Sequence, residues 1–578
     1  MLGASSLENS KKPRKPPACN PCKVRRVLCH PQPGAAPCPR CVEREIICTT
    51  AGTPRGRPRR NVTGFSGRAQ QTPHSLVLHP GPDFGTSADC PEITPEFATH
   101  CFEGLKFNPL YSHPLISATF IRSKLSAASF QLDLLSPPSR VLALCSVAFG
   151  SMCSFHKCVL GDGPRPESFL DHVFFSSSPD LLGCGIRRAA ACRALRSQAL
   201  KASWEAGIIL SASDENAASC FLLDLIEQTD ICSAGRPWGT AYMAHTRTLA
   251  PTWHASSNLS FWSGFLWIAC LMSDNLVSAR GRTPAMVNAQ DQLLLCGSPP
   301  PLESLLETLE LSVDNHNSTL LWVSTKAYMF HVTTLARELV ERITGDFART
   351  HPLSEAIVRS FFNSLSKTHS VLSLLLDRID TLIAATASVN PPALLADSRT
   401  DFLAVTAAFC CCFGFSALVL PFYRELQYRE ASDGSDMSEP LLALRMQAHG
   451  LAVLGARNLA RGIRYLPKIH YAPAQWATIR QWAEFAAEEA DMETAPLSPE
   501  AAYDLETLAD ELKLLGYSLH AACTPETVAL IERLESHVNR ALGPMFLSVD
   551  GEADADESPA PSLDEGATII PEFQNEFH

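Results

Sequence analysis

The chain carries almost none of the residue patterns that catalysis, secretion or a β-sheet would need. G-x-S-x-G, G-x-x-x-x-G-K-[ST], H-E-x-x-H and G-x-G-x-x-G are all missing, which removes the nucleophile elbow, the P-loop, the zinc-protease helix and the dinucleotide turn. A protein that is not an enzyme is the expectation. The opening residues, MLGASSLENSKKPRKPP, hold no apolar run, so no secretory leader is expected. Strand-like alternation is nearly absent along the chain. From residue 62 to about 95 no heptad is sustained: Leu76 and Leu78 stand alone among prolines, so this stretch offers no coiled coil. It reads instead as a flexible linker rich in Gly, Pro, Ser and Thr.

Charge is scarce too, at 19% of residues, and the net −12 conceals a division. Residues 1–70 hold 14 Lys and Arg against 3 Asp and Glu, a local excess of +11, whereas the remainder carries −23. A basic head on an acidic body suits a nucleic-acid reader joined to an unrelated regulatory part.

What is present is a cluster of cysteines in that basic head. Cys19, Cys22, Cys29, Cys38, Cys41 and Cys48 follow C-x2-C-x6-C-x8-C-x2-C-x6-C, one unit repeated around a Pro/Gly loop. A C-x2-C pair aims two thiolates at one ion, and the third cysteine returns after a short helix. Tetrahedral zinc takes four ligands, so two separate ions would need eight. Six thiolates without a histidine serve two ions only if two sulfurs are shared. The other 15 of the 21 cysteines are scattered in apolar company and read as buried small hydrophobes in a reducing compartment.

This spacing, with the basic run Lys23, Arg25 and Arg26 behind the second cysteine, closely resembles the fungal Zn2Cys6 (binuclear zinc cluster) transcription factors. The resemblance implies two zinc ions per chain with Cys19 and Cys38 bridging. It implies a short helix over KVRRVL whose end enters the major groove. Arg25 and Arg26 then read CGG-like half-sites, since arginine can bond O6 and N7 of guanine together. Lys23 and Arg44 are the expected phosphate contacts. Two departures stand out: Leu28 occupies a place where the family usually carries Lys or Arg, and the loop opens with His30-Pro31.

Two basic segments flank the cluster. Lys11, Lys12, Arg14 and Lys15 form a run of the nuclear-import type, so the nucleus is the expected compartment. After the cluster, Pro54-Arg55-Gly56-Arg57-Pro58 matches the core of an AT-hook, with Arg59 and Arg60 extending it. Glycine lets the backbone approach the groove floor while arginines point into a narrow A·T minor groove.

From residue 96 onward helix signals recur. SRVLALCSVAFGSMCSF (139–155) predicts a buried helix, and residues 185–207 one that stops at Gly207. Ser498 as N-cap, Pro499 at the first helical position and Gly516 as C-cap frame another. Thr524-Pro525-Glu526 starts a last one, ending at Gly543-Pro544. Residues 402–423 are uncharged and long enough to span a bilayer, but in this context they predict a central buried helix. Cys153, His156 and Cys158 could hold a metal, yet they would fall on different faces of the helix expected there. This body is similar to the fungal-specific regulatory domain, which implies control by a metabolite or partner. The tail from Asp550 holds nine acidic residues and no Lys or Arg, with Phe573 and Phe577 near its end, as in disordered activation segments.

The sequence therefore predicts a mainly α protein with a basic disordered N-terminus (1–17) and a Zn2Cys6 DNA-binding domain (18–50). An AT-hook-like arm and linker (51–95), an all-helical regulatory domain (96–545) and an acidic disordered tail (546–578) follow. Expected partners are double-stranded DNA, transcription coregulators and, on DNA, a second copy of the chain; no membrane is expected. The alternative is a zinc-stabilised interaction scaffold or transcriptional cofactor without direct sequence readout.

Overall fold

In the computed structural model, the residues whose structure is described are 18–19, 21–22, 27–32, 36–44, 46–48, 90–177, 180–229, 235–255, 261–311, 318–389, 399–433, 439–466, 475–494 and 496–547. The chain divides into two compact units, Met1–Pro80 and Gly81–His578. Among the described residues every regular element is helical and no strand forms.

The first unit contains α1 (Pro39–Val42). The second begins with α2 (Pro95–Gly104), α3 (Pro114–Ala118), α4 (Ile121–Ala127), α5 (Pro137–Ser151), α6 (Lys157–Leu160) and α7 (His172–Ser177). Longer helices follow: α8 (Leu181–Ala206), α9 (Asp214–Gln228), α10 (Pro237–Ala255), α11 (Phe261–Gly281), α12 (Ala289–Cys296), α13 (Leu302–Leu311) and α14 (Ser318–Leu339). After α15 (Asp346–Arg349) come α16 (Glu355–Val389), α17 (Arg399–Asp433), α18 (Glu439–Tyr465), α19 (Trp476–Met492), α20 (Pro499–Ser518) and α21 (Pro525–Leu547).

Several starts are written in single residues. Thr94, Ser213, Ser498 and Thr524 each place a side-chain oxygen on the backbone N–H three residues ahead, at 3.2–3.3 Å. Gly207 ends α8 in the left-handed region at φ 60°, a backbone conformation that residues with a Cβ rarely adopt. Two expected stops fail. Gly516 lies inside α20, which continues to Ser518, and α21 runs through Gly543-Pro544 to Leu547.

Gly516 is needed for packing. A Cβ there would stand 2.1 Å from Leu182 Cδ2, and one on Gly185 would stand 1.9 Å from the Gly516 carbonyl oxygen. The paired glycines bring α8 and α20 into backbone contact, which ties the start of the body to its end. Adjacent pairs α5–α8, α9–α10, α11–α14, α17–α18 and α20–α21 surround one hydrophobic core reaching from Phe97 to Val538.

The apolar α17 sits inside that core. Within residues 404–431 an 18-residue window has a mean hydropathy of 2.0, the one stretch among the described residues apolar and long enough to cross a membrane, and 78% of that window is buried inside the protein. Tyr328 donates to the Cys411 carbonyl at 3.2 Å and Ser416 to that of Gly455 at 2.9 Å, so its neighbours also bond its backbone and side chains.

Buried charges are paired across helices. Arg236 bridges Asp224 and Asp274, and Glu425 lies between Arg349 and Arg429. The helix predicted over 139–155 ends earlier, at Ser151. His156 instead caps α6 by accepting from the Cys158 N–H at 3.3 Å. Cys153 is buried and Cys158 exposed, so this trio forms no ligand group.

Candidate metal centre

Four sulfurs converge in the first unit. The Sγ atoms of Cys19, Cys22, Cys38 and Cys41 lie within 4.8 Å of one another, all four residues buried, and they form the one such group among the described residues. Cys29 and Cys48, half-buried, pack against them. A unit this small buries little else, so its order rests on this cluster.

The local backbone explains the convergence. The two halves repeat with an offset of nineteen residues, from Cys19 to Cys38. In each half the first cysteine donates its N–H to the third sulfur, Cys19 to Cys29 and Cys38 to Cys48, both at 3.5 Å. The Val27 N–H meets the Cys22 carbonyl at 3.1 Å, and the Ile46 N–H meets the Cys41 carbonyl at 2.9 Å. The same hydrogen bonds occur twice, so the sequence repeat is also a structural one. Pro39 at the start of α1 leaves no N–H to compete at the second knuckle.

A metal can be tested against these separations. Zinc bound to sulfur at about 2.3 Å in a tetrahedron sets its sulfurs about 3.8 Å apart. Cys19–Cys38, Cys19–Cys41, Cys22–Cys38 and Cys19–Cys29 all stand at 3.7 Å. The cluster fits a thiolate-bound ion of zinc's size. Cys19 takes part in three of these edges and Cys38 in two, so they are the central sulfurs.

Hydrogen bonding distinguishes the same two residues. The Cys22 N–H and surrounding thiols pull Cys19 down to about 6 despite burial. At Cys38 burial raises the pKa, but the Cys41 N–H and neighbouring thiols outweigh it and bring it below the ordinary value. Burial pushes Cys22 up to about 12 and raises Cys41 as well. Hydrogen bonding thus makes the two central sulfurs the more acidic of the buried four.

Arg44 is exposed in the turn after α1. Lys23, Arg25, Arg26, Arg55, Arg57, Arg59 and Arg60 lie outside the described residues, as do Lys11, Lys12, Arg14 and Lys15. The acidic tail and the AT-hook-like arm lie outside them too. One feature went unread in the sequence: Leu28 at 69%, Val42 at 61% and Ile47 at 83% are exposed around the cluster. The nineteen-residue repeat could have located two of them, because Leu28 and Ile47 each precede the third cysteine of a half.

Compared with family models, curated proteins and solved structures, the chain matches none. Among its described residues every regular element is helical, and the cysteine cluster in its first unit could hold a metal ion.

Proposed function

We propose that this chain is a nuclear, zinc-dependent transcription factor that binds double-stranded DNA at CGG-like half-sites. The observation that carries the reading is the repeated cysteine cluster with Cys19 and Cys38 at its centre, the arrangement two zinc ions sharing two sulfurs would require. The basic run Lys23, Arg25 and Arg26 and the local charge excess supply the groove and phosphate contacts. In this reading Arg55, Arg57, Arg59 and Arg60 extend contact into the minor groove. Lys11, Lys12, Arg14 and Lys15 direct import, and the helical body and acidic tail regulate RNA polymerase II transcription with coregulators.

Full-length protein loaded with zinc tests this by selection from a random duplex pool at near-physiological salt. An enriched CGG-type triplet that disappears in the Arg25→Gln, Arg26→Gln double variant, zinc being retained, is the expected outcome. Zinc binding with no enriched sequence would transfer the weight to an interaction scaffold. The exposed Leu28, Val42 and Ile47 favour that second reading, since clustered surface aliphatics suit a protein contact.

A further inference from the structure

A cleft of about 330 Å³ opens in the body between α5, α8, α9 and the turn that follows α20. Met152, Ile226 and Leu519 give it an apolar wall; Arg188, Arg193 and Arg196 give it a cationic one, and among the described residues no Asp or Glu lines it. The three arginines are in different states. Arg196 is already paired, its Nε and Nη2 donating to Glu227 at 2.9 and 2.6 Å. Arg193 is exposed.

Arg188 is buried, with 1% of its surface exposed, and has no carboxylate partner. Its Nη1 donates to the carbonyls of Ser151 at 3.1 Å, Met152, and Ser154 at 3.2 Å, where α5 ends. Its guanidinium carbon stands 4.3 Å from the centre of the Tyr517 ring. Among the described residues Nε and Nη2 meet no acceptor in good hydrogen-bond geometry, although the Tyr517 side chain also interacts with the guanidinium, and the buried Ser518 Oγ on the same cleft meets none.

The carbonyls at the helix end offset part of the charge. Nε and Nη2, however, form an edge that can hold a carboxylate through two parallel bonds. Leaving a buried cation's donors unmet is unfavourable, which is the physical reason to look for an anion. The volume lies at the small end of ligand sites, roughly 300–1,000 Å³, and the apolar wall suits a hydrocarbon portion.

We propose that this cleft binds a small organic carboxylate, its acid group on the Nε/Nη2 edge of Arg188 and its apolar part against Met152, Ile226 and Leu519. Arg193 draws the anion toward the cleft. Both Arg188 nitrogens are sealed from water in the unliganded protein. Binding there requires side chains that line the cleft to move. The site is independent of the DNA-binding reading.

Calorimetric titration of the full-length protein with acetate through decanoate, the matching primary alcohols and inorganic phosphate tests the assignment. A medium-chain carboxylate binds one per chain, about tenfold or more tighter than its alcohol, as loss of a charge-assisted hydrogen bond implies. Arg188→Met removes that preference and leaves the alcohol unaffected. Because Arg188 also holds the end of α5, Ala521→Trp is the second variant: it fills the cleft, keeps the arginines and abolishes binding with an unchanged circular dichroism spectrum. The proposal is overturned if no carboxylate binds, if alcohol or phosphate binds as tightly, or if Ala521→Trp binds like the parent protein.

Discussion

Two ions that share sulfurs, as proposed, would give a zinc count that a single-ion site cannot imitate. Cys19 and Cys38 are the central sulfurs, and Cys29 stands 3.7 Å from Cys19, the edge of a zinc tetrahedron. If both central sulfurs are shared, Cys38→Ala leaves each ion with three ligands. Cys29→Ala deprives one ion only and leaves the other with Cys19, Cys38, Cys41 and Cys48. A structural zinc contributes about 10–16 kcal/mol, so one thiolate in four represents about 3–4 kcal/mol. That corresponds to a roughly hundred- to thousandfold loss of affinity, enough for a chelator to strip the affected ion. Full-length protein dialysed against a moderate chelator and assayed by elemental mass spectrometry should carry two zincs in the parent, one in Cys29→Ala and none in Cys38→Ala. A count of one in both the parent and Cys29→Ala would refute the shared arrangement. It would identify a single ion held by Cys19, Cys22, Cys38 and Cys41.

Three further perturbations probe the body. Gly185→Ala gains about 1 kcal/mol of helix propensity. Yet its Cβ would meet the Gly516 carbonyl oxygen at 1.9 Å, so denaturant titration should show a net loss of about 2 kcal/mol or more; a gain would mean that α8 and α20 do not touch there. His113 is buried, accepting from the Leu115 N–H at 3.1 Å, and burial pulls its pKa down to about 3. Unfolded it takes up a proton near pH 6.5, so stability falls as the pH drops from 6.5 toward 3, by roughly 3 kcal/mol at pH 4.5. His113→Asn keeps the capping acceptor and should flatten the stability curve between pH 7 and 4.5 by that amount; an unchanged slope would remove His113 from the acid response. Glu425→Gln leaves the buried Arg429 and the half-buried Arg349 without their carboxylate and should destabilise by about 3 kcal/mol, read as a lower unfolding midpoint.

The sequence disclosed features that depend on a few neighbouring residues. Caps at Ser498 and Thr524 were legible because a hydroxyl acts on an N–H only three residues away. Gly207 was legible as a stop because the left-handed turn it makes is a property of one residue. The expected stops at Gly516 and Gly543-Pro544 failed for the converse reason. Glycine permits a helix end without imposing one, and at residue 516 what matters is a helix more than three hundred positions away. The break after Ser151 was missed because MCSF is as apolar as the helix before it, while the His156 cap that restarts the chain uses a residue seldom read as a cap.

By itself, then, the sequence determined the register of six cysteines, the separation of basic head from acidic body and the helical character of that body. Each follows from spacing, charge or periodicity along the chain. Tertiary structure alone decided the separations between the sulfurs and which neighbours bond α17 inside the core. It also placed Arg188 beside a cleft that no acid among the described residues lines. Those properties depend on distances between residues far apart in sequence, and packing sets such distances only when the whole chain is folded.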